Sequence, residues 1–176
     1  MNTFLIADPH FSHQGVCEFT RHTGEKLRPW DVVEEMDEAL IHNWNSVVKK
    51  DDKIYVLGDV VFKNDHLNKV MPRLNGRKCL IKGNHDKLKL SQYAKYFYDI
   101  RACDIVDKFM MTHVPVHPES IIKKNGNIHG HLHYRRVMDG EEIDKRYFCV
   151  SVEHTDYTPI ALDVVLDLFN KQKNPP

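Results

Sequence analysis

Five short apolar runs in this chain each end directly before residues that can bind a metal ion. Short apolar runs bounded by turn residues predict buried β-strands, and here segments with helical periodicity lie between them, which is typical of an α/β fold. In such folds, ligands bind beyond the carboxyl ends of neighbouring strands. We therefore expect the polar residues after these strands to converge on one site. The runs are FLIA at 4–7, IYVL at 54–57, CLI at 79–81, FMMT at 109–112 and the residues that lead into Gly130.

The residues that follow these strands are aspartate, asparagine and histidine, all of which bind divalent cations. Glycines stand beside three of the sets, at Gly58, Gly83 and Gly130, where the backbone must turn sharply or approach a neighbour closely. The sets are Asp8 with His10, then Asp59, then Asn84 with His85, then His113, and finally His131 with His133.

Two helices are predicted among the strands and one after them. Apolar residues recur at steps of three and four over 31–49 and over 67–74, which predicts amphipathic helices. Asp139-Gly140 is typical of a tight hairpin turn. Thr158 and Pro159 suit the N-cap and the first position of a last helix, which we expect to begin there. The buried residues expected for that helix are Ala161, Val164, Val165 and Leu168.

Composition limits the classes of function. With 176 residues, the chain is expected to form one domain spanning 1–176. Its 25 basic and 25 acidic residues cancel, which disfavours binding of nucleic acid through bulk charge and leaves a local basic patch open. The four cysteines form no CxxC pair, which disfavours a zinc ribbon or a redox motif. No run has the form of a signal peptide or a membrane span, so we expect a cytoplasmic protein without membrane contacts.

The stretch IHGHLH places three of the 12 histidines at alternate positions. In a strand, His129, His131 and His133 would point to one face. Neighbouring imidazoles repel each other when protonated and are best tolerated when they are neutral and bound to a metal ion. This stretch therefore indicates a metal site whose other ligands lie elsewhere in the chain.

Taken in order, these motifs resemble those of the calcineurin-like metallophosphoesterases. The resemblance covers residues 8–133, which is most of the chain. Each motif is weak alone, but five in the family's order, each after a predicted strand, form a specific pattern. The chain looks most like the small stand-alone bacterial and phage-type phosphoesterases. The matching segments are Asp8-Pro9-His10, Gly58-Asp59, Gly83-Asn84-His85-Asp86, His113 and Gly130-His131-Leu132-His133.

The resemblance implies a four-layer αββα sandwich, in which two mixed β-sheets pack together and helices flank them. It also implies a centre of two divalent metal ions bridged by Asp59. Manganese is the ion expected first, and the same ligand types also suit iron, zinc, nickel or cobalt. The implied ligands are Asp8, His10, Asp59 and His133 for one ion, and Asp59, Asn84, His113 and His131 for the other.

The implied reaction is hydrolysis of a phosphoester by a hydroxide that bridges two ions roughly 3.5–4 Å apart. In this family pattern, His85 would stabilise the phosphoryl oxygens or protonate the leaving group, and Asp86 would orient the His85 ring. Arg135 and Arg136 directly follow the last ligand and are the best candidates to bind substrate phosphate, with solvated surface charge as the alternative. His129 is expected to bind no metal ion and to be a structural residue that orients one of the ligands.

Two departures from the family narrow the substrate class. Protein serine/threonine phosphatases of this superfamily continue their Gly-Asp into Asp-Arg-Gly, whereas Gly58-Asp59 continues into Val-Val-Phe-Lys-Asn at 60–64. The chain is also short, so we expect no cap domain over the site. An open site suits a phosphodiester of a nucleotide or another small molecule. The alternatives are a phosphomonoesterase, a nuclease acting on nucleic acid, and a metal-binding interaction scaffold without catalysis.

Overall fold

The structure, a computed structural model, describes residues 1–173. Strands and α-helices alternate through the first half of the chain, and short 3-10 helices occur at Met71–Arg73, Pro118–Ile121 and Val152–His154. The elements are β1 (Thr3–Ile6), α1 (Gly15–Glu18), α2 (Val33–Val47), β2 (Lys53–Val56), α3 (Asn64–Val70), β3 (Arg77–Ile81), α4 (Leu90–Tyr93), β4 (Asp99–Arg101), β5 (Cys103–Val106), β6 (Phe109–Thr112), β7 (Gly126–His129), β8 (Met138–Asp139), β9 (Glu142–Ile143), β10 (Tyr147–Cys149), β11 (Ile160–Ala161) and α5 (Leu162–Lys173).

The first sheet contains five strands in the order β11-β1-β2-β3-β4. Strands β1 to β4 are parallel to one another, and β11 pairs antiparallel with β1. Parallel neighbours need crossover connections, which α2 provides between β1 and β2, and α3 between β2 and β3. The loops after β1, β2 and β3 therefore leave from the same edge of the sheet.

The second sheet contains four strands in the order β10-β7-β6-β5, of which β10, β7 and β6 are parallel and β5 is antiparallel. Main-chain hydrogen bonds join the two sheets where β1 and β10 end. The N–H of Ala7 donates to the carbonyl of Val150 at 3.0 Å, and the N–H of Val152 donates to the carbonyl of Ala7 at 3.1 Å. The loops that follow β6 and β7 consequently meet those of the first sheet.

Buried apolar residues cover both faces of the first sheet. Phe4 and Ile6 of β1 belong to a cluster with α2 and α3, whereas Leu5 belongs to a second cluster with Met111 and Ile128 of the other sheet. This alternation follows from the pleat of a strand, which directs successive side chains to opposite faces. The predicted α/β fold is confirmed, with mixed sheets in contact with each other and with helices.

The predicted elements are confirmed over most of the chain. All five predicted strands are present, as β1, β2, β3, β6 and β7. The first two predicted helices correspond to α2 and to α3 with the 3-10 turn that follows it. Strands β8 and β9 pair around Asp139 and Gly140 as the predicted hairpin.

The predicted start of the last helix is wrong. Ile160 and Ala161 form β11, which pairs with Leu5 and Phe4 of β1, so helix α5 begins only at Leu162. Because Ala161 belongs to a strand, it does not define the buried face of α5, which runs instead through Leu162, Val165 and Phe169 at steps of three and four. Val165 and Phe169 are buried, whereas the predicted core residues Val164 and Leu168 are 45% and 41% exposed.

In residues 1–173, no helix has both the length and the apolar character needed to cross a membrane. All four cysteines are free thiols, of which Cys17, Cys79 and Cys149 are buried and Cys103 is exposed.

Candidate metal centre

The loops that meet between the two sheets bring the predicted metal ligands together. Within each of two groups, the potential ligand atoms all lie within 4.8 Å of one another. This matches the division of ligands between two ions that the family resemblance implies. The first group is Asp8, His10 and His133, and the second is Asp59, His113 and His131.

Asp59 lies between the two groups. Its Oδ2 atom is 3.6 Å from Nε2 of His10 and 3.4 Å from Nε2 of His113. Its other oxygen, Oδ1, accepts a hydrogen bond of 2.8 Å from the backbone N–H of His85. One oxygen of this carboxylate is therefore fixed by the backbone, and the other faces both groups.

Asn84 joins the second group through its amide oxygen. Oδ1 lies 2.8 Å from Nε2 of His113 and 3.0 Å from Nδ1 of His131. All seven predicted ligands are thus gathered in one region, although they come from five separate loops.

Two of the motif glycines allow these loops to approach each other. Gly58 has a φ of +85°, and a Cβ atom there would lie 2.5 Å from Nδ1 of His113. A Cβ atom on Gly83 would overlap Oδ1 of Asp59. Any side chain at either position would displace a predicted ligand.

The ligand loops also carry unusual backbone conformations. Five predicted ligands have φ between 49° and 69°, a region that residues other than glycine rarely adopt. Such conformations persist only where the surrounding structure imposes them, and they cluster at functional sites. The five are Asp8, His10, Asp59, His131 and His133.

The first group contains buried polar atoms that have no partner among residues 1–173. Oδ2 of Asp8 accepts from the N–H of His131 and from the hydroxyl of Ser151, but its Oδ1 and both ring nitrogens of His10 are buried without a hydrogen bond. Burial raises the pKa of Asp8 to about 6 despite the opposing effects of His133 and His113. Burial also keeps the pKa of His10 well below its usual range. A buried carboxylate oxygen beside a neutral imidazole fits a bound cation.

The second group also fits a positive charge between its atoms. Nδ1 of His113 donates to the carbonyl of Leu57 at 2.8 Å, so Nε2 is the atom that faces Asp59 and Asn84. Burial alone would lower the pKa of His113, but Asp59 and Asp8 raise it to about 9. Burial would likewise raise the pKa of Asp59, yet His113 lowers it to about 2. A metal ion bound between these side chains would supply the positive charge that protonated His113 supplies in this structure.

A buried ion pair that holds His133 was not predicted from the sequence. Nδ1 of His133 donates to Oε1 of Glu153 at 3.0 Å, and Nη2 of Arg28 lies 2.9 Å from the same oxygen. Neither the Arg28 nor the Glu153 side chain is exposed. Arg28 also donates to the backbone carbonyls of Asp8 at 2.6 Å and Pro9 at 2.8 Å. One guanidinium therefore links the loop of Asp8 to the partner of His133.

Replacing Glu153 with glutamine is expected to lower metal affinity at the first group by about 10- to 100-fold, the usual effect of losing a partner that orients a ligand. Burial would raise the pKa of Glu153, but Arg28 and His133 lower it to about 2, so the charged carboxylate is the form that orients His133. The variant should also melt at a lower temperature, because breaking a buried ion pair costs about 3–5 kcal/mol. Metal titration followed by calorimetry and a thermal melt measure the two effects.

Glu38→Gln provides the matched control. Glu38 forms a bidentate pair with Arg73 at 2.7 and 2.5 Å, but its side chain is 62% exposed. Exposed pairs contribute little to stability, so neither metal affinity nor melting should change. If Glu153→Gln lowers the melting temperature and leaves metal affinity intact, Glu153 has no role in holding His133.

Asp86 does not orient His85, which corrects the sequence prediction. Its Oδ2 accepts from the N–H groups of Asp59 and Gly83, both at 2.8 Å, and its Oδ1 accepts from the N–H of Val60 at 2.9 Å. Asp86 is fully buried and ties the Asp59 loop to the Gly83 loop. A carboxylate close in sequence to a histidine can turn towards backbone amides instead, and the sequence alone does not distinguish the two.

His85 lies beside the first group. Its ring centroid is 5.8 Å from that of His10 and 5.0 Å from that of Phe62. The ring is partly exposed and forms no hydrogen bond with residues 1–173, so both its nitrogens are available to another molecule.

The two predicted phosphate-binding arginines diverge. Arg135 lines the same cavity as His131 and His133. Arg136 lies 3.3 Å from Nδ1 of His154 and lines a different cavity, which contains none of the predicted metal ligands. Only Arg135 therefore lies beside the predicted ligands, and the prediction for Arg136 is wrong, because adjacent residues of this loop point in different directions.

The three alternating histidines do not share the face of a strand. Strand β7 ends at His129, and His131 and His133 adopt left-handed conformations beyond it. Nδ1 of His129 donates to the carbonyl of Gly130 at 2.7 Å, and burial lowers the pKa of His129 to about 4. His129 is thus a neutral, buried residue whose hydrogen bond fixes the backbone just before His131, and the strand interpretation of this segment is wrong.

Comparison with known proteins gives relatives along almost the whole chain. No protein-family model matches the chain. It is 32% identical to the uncharacterized protein MJ1445 of Methanocaldococcus jannaschii over 179 aligned residues, which cover 97% of this chain and 92% of MJ1445. A segment of 89 residues is 36% identical to the Gene 66 protein of Mycobacterium phage L5 and covers 48% of this chain and 40% of that protein. The crystal structure of AQ665 from Aquifex aeolicus, a protein of unknown function, superposes with a TM-score of 0.72 at 26% identity and covers 95% of this chain and 98% of AQ665.

Proposed function

The chain belongs to the same family as protein MJ1445 of Methanocaldococcus jannaschii, and we propose that it is a metal-dependent phosphoester hydrolase of the calcineurin-like type. The observation that carries this proposal is the position of Asp59. Its Oδ2 lies 3.6 Å from Nε2 of His10 and 3.4 Å from Nε2 of His113, between two groups of potential metal ligands. A carboxylate between two such groups suits a centre of two divalent ions.

The arrangement of the sheets supports the same proposal. The two mixed sheets share one buried apolar cluster, and α2 and α3 pack on the other face of the first sheet. This is compatible with the αββα sandwich that the resemblance to the calcineurin-like enzymes implies.

We assign the chemistry as follows. Asp8, His10 and His133 would hold one ion with Asp59, and Asn84, His113 and His131 would hold the other with Asp59. Two bound divalent ions supply Lewis acidity and lower the pKa of water, which makes it a nucleophile at neutral pH. As the water oxygen bonds to phosphorus, the bond from phosphorus to the ester oxygen breaks.

His85 and Arg135 would act on the substrate itself. The ring of His85, beside His10 and without a hydrogen-bond partner among residues 1–173, would give a proton to the leaving oxygen or donate to a phosphoryl oxygen. Arg135 lines the cavity beside His131 and His133, where its guanidinium would attract the negative charge of the phosphate.

We expect hydrolysis of bis-p-nitrophenyl phosphate at a rate at least comparable to that of p-nitrophenyl phosphate when manganese is present. The cavity beside the ligand histidines leaves room for a second ester group, which a diester has and a monoester lacks. Rates are measured on protein stripped with a chelator and reloaded with manganese, iron, zinc, nickel or cobalt. A clear preference for the monoester would indicate a phosphomonoesterase, and metal binding without turnover of either ester would indicate a scaffold.

A further inference from the structure

A cavity of about 470 Å³ adjoins the candidate metal centre. His131 and His133 form part of its wall, so a group attached to a phosphate at the centre would extend into it. Much of the remaining wall is apolar or aromatic, and it contains Phe19, Leu27, Leu132 and Tyr134. A wall of this kind suits an uncharged ring better than a sugar or a second phosphate.

Tyr134 is held in place by residues far away in the sequence. Its hydroxyl accepts from the backbone N–H of His22 at 3.1 Å and lies 3.2 Å from Nδ1 of the same residue. The guanidinium of Arg21 is 5.4 Å from the centre of the Tyr134 ring, and that of Arg135 is 5.9 Å away. These contacts orient the aromatic ring before any ligand arrives, and they place two cations around it.

Phe19 forms another part of the wall, on a backbone segment that two hydrogen bonds hold in place. Its N–H donates to the carbonyl of Gly15 at 3.0 Å, and its own carbonyl accepts from the N–H of Leu27 at 2.7 Å. The side chain is nevertheless 52% exposed. When a ligand covers a large apolar side chain on such a fixed segment, the burial of its surface favours binding.

We propose that this cavity binds an aromatic ring, an aryl group or a nucleobase, of the phosphoester held at the metal centre. This inference rests on the proposed function. The ring packs against the apolar surface that Phe19 and Tyr134 contribute to the wall, and Arg135 attracts the phosphate to which the ring is attached. The cavity thereby selects aromatic esters over alkyl esters of the same charge.

Binding of two phosphonates to the manganese-loaded protein tests this assignment without turnover, because a carbon–phosphorus bond is not hydrolysed. Phenylphosphonate and methylphosphonate are compared by calorimetry on the wild type and on Phe19→Ala and Tyr134→Ala. Each substitution should weaken phenylphosphonate about tenfold, the order of effect seen when a stacking ring is removed, and should leave methylphosphonate unchanged. Binding of the phosphonate analogue of adenosine monophosphate is measured on the same three proteins. Whichever of this analogue and phenylphosphonate loses more affinity in the variants shows whether the cavity binds a nucleobase or a smaller aryl group.

Tyr98→Ala is the matched control. Tyr98 is 50% exposed, and the guanidinium of Arg77 lies 5.1 Å from the centre of its ring. Its N–H donates to the carbonyl of Lys78 near the start of β3, at the opposite end of that strand from the ligand loops. This variant should bind both phosphonates as the wild type does. Equal losses for the two phosphonates, or none for phenylphosphonate, would overturn the aromatic assignment alone. If the wild type binds neither phosphonate, the proposed function fails and this inference fails with it.

Discussion

Replacing Asp59 with asparagine is expected to remove metal ions from both ligand groups and to abolish phosphoester hydrolysis. Losing a partner that only orients a ligand lowers metal affinity by about 10- to 100-fold, so losing a shared anionic ligand should cost more than about 100-fold. The fold should survive, because the asparagine oxygen can still accept from the N–H of His85, as Oδ1 of Asp59 does at 2.8 Å. Metal content is counted by native mass spectrometry, and activity is measured on bis-p-nitrophenyl phosphate.

Asp139→Asn removes the same charge at a distance from the centre. Asp139 belongs to the β8–β9 hairpin, and its side chain is 75% exposed. We expect normal metal content and normal rates for this control. Full occupancy of both groups in Asp59→Asn would rule out the bridging role of Asp59.

Replacing His85 with asparagine is expected to leave both metal ions in place and to lower the hydrolysis rate by about 10²- to 10⁴-fold, the usual contribution of a positioned proton donor. The backbone N–H of His85, which bonds to Asp59, remains in the variant. The loss should be larger for diphenyl phosphate than for bis-p-nitrophenyl phosphate, because nitrophenolate leaves without a proton more readily than phenolate. Rates on both esters are measured together with the metal content.

His42→Asn is the control for this experiment, because His42 is exposed on α2. It should change neither metal content nor rate. If the metal content of His85→Asn falls together with its activity, His85 is a ligand or a structural residue. If neither changes, His85 takes no part in the reaction, and the scaffold alternative gains support.

The strands that carry the ligands could be predicted because their signals are local. Runs such as FLIA and CLI are apolar throughout, and β1 and β3 occur where those runs lie. Parallel strands with helical crossovers place their carboxyl ends on one edge, so the convergence of the ligand loops followed from the same reasoning. Edge strands gave weaker signals: β4 and β5 mix charged with apolar residues, form no continuous apolar run, and were not predicted.

The residues that support the ligands could not be predicted, because their partners are distant in sequence. Arg28 and Glu153 are separated by 125 positions and meet only in the folded chain. The left-handed backbone at His131 and His133 could not be predicted either. Histidines at alternate positions predict an extended strand, and the sequence here contains no signal for a positive φ. The start of α5 was misplaced for a related reason, because the pairing of Ile160 with Leu5 overrides the helix-starting signal of Thr158 and Pro159.

The number of metal ions bound by the wild-type chain tests the two-ion centre most directly. Protein stripped with a chelator is titrated with manganese, and native mass spectrometry counts the ions on each chain at saturation. The two ligand groups around Asp59 predict two ions per chain, together with the onset of phosphodiester hydrolysis as the second ion binds. Saturation at one ion, or no specific binding, would contradict the account.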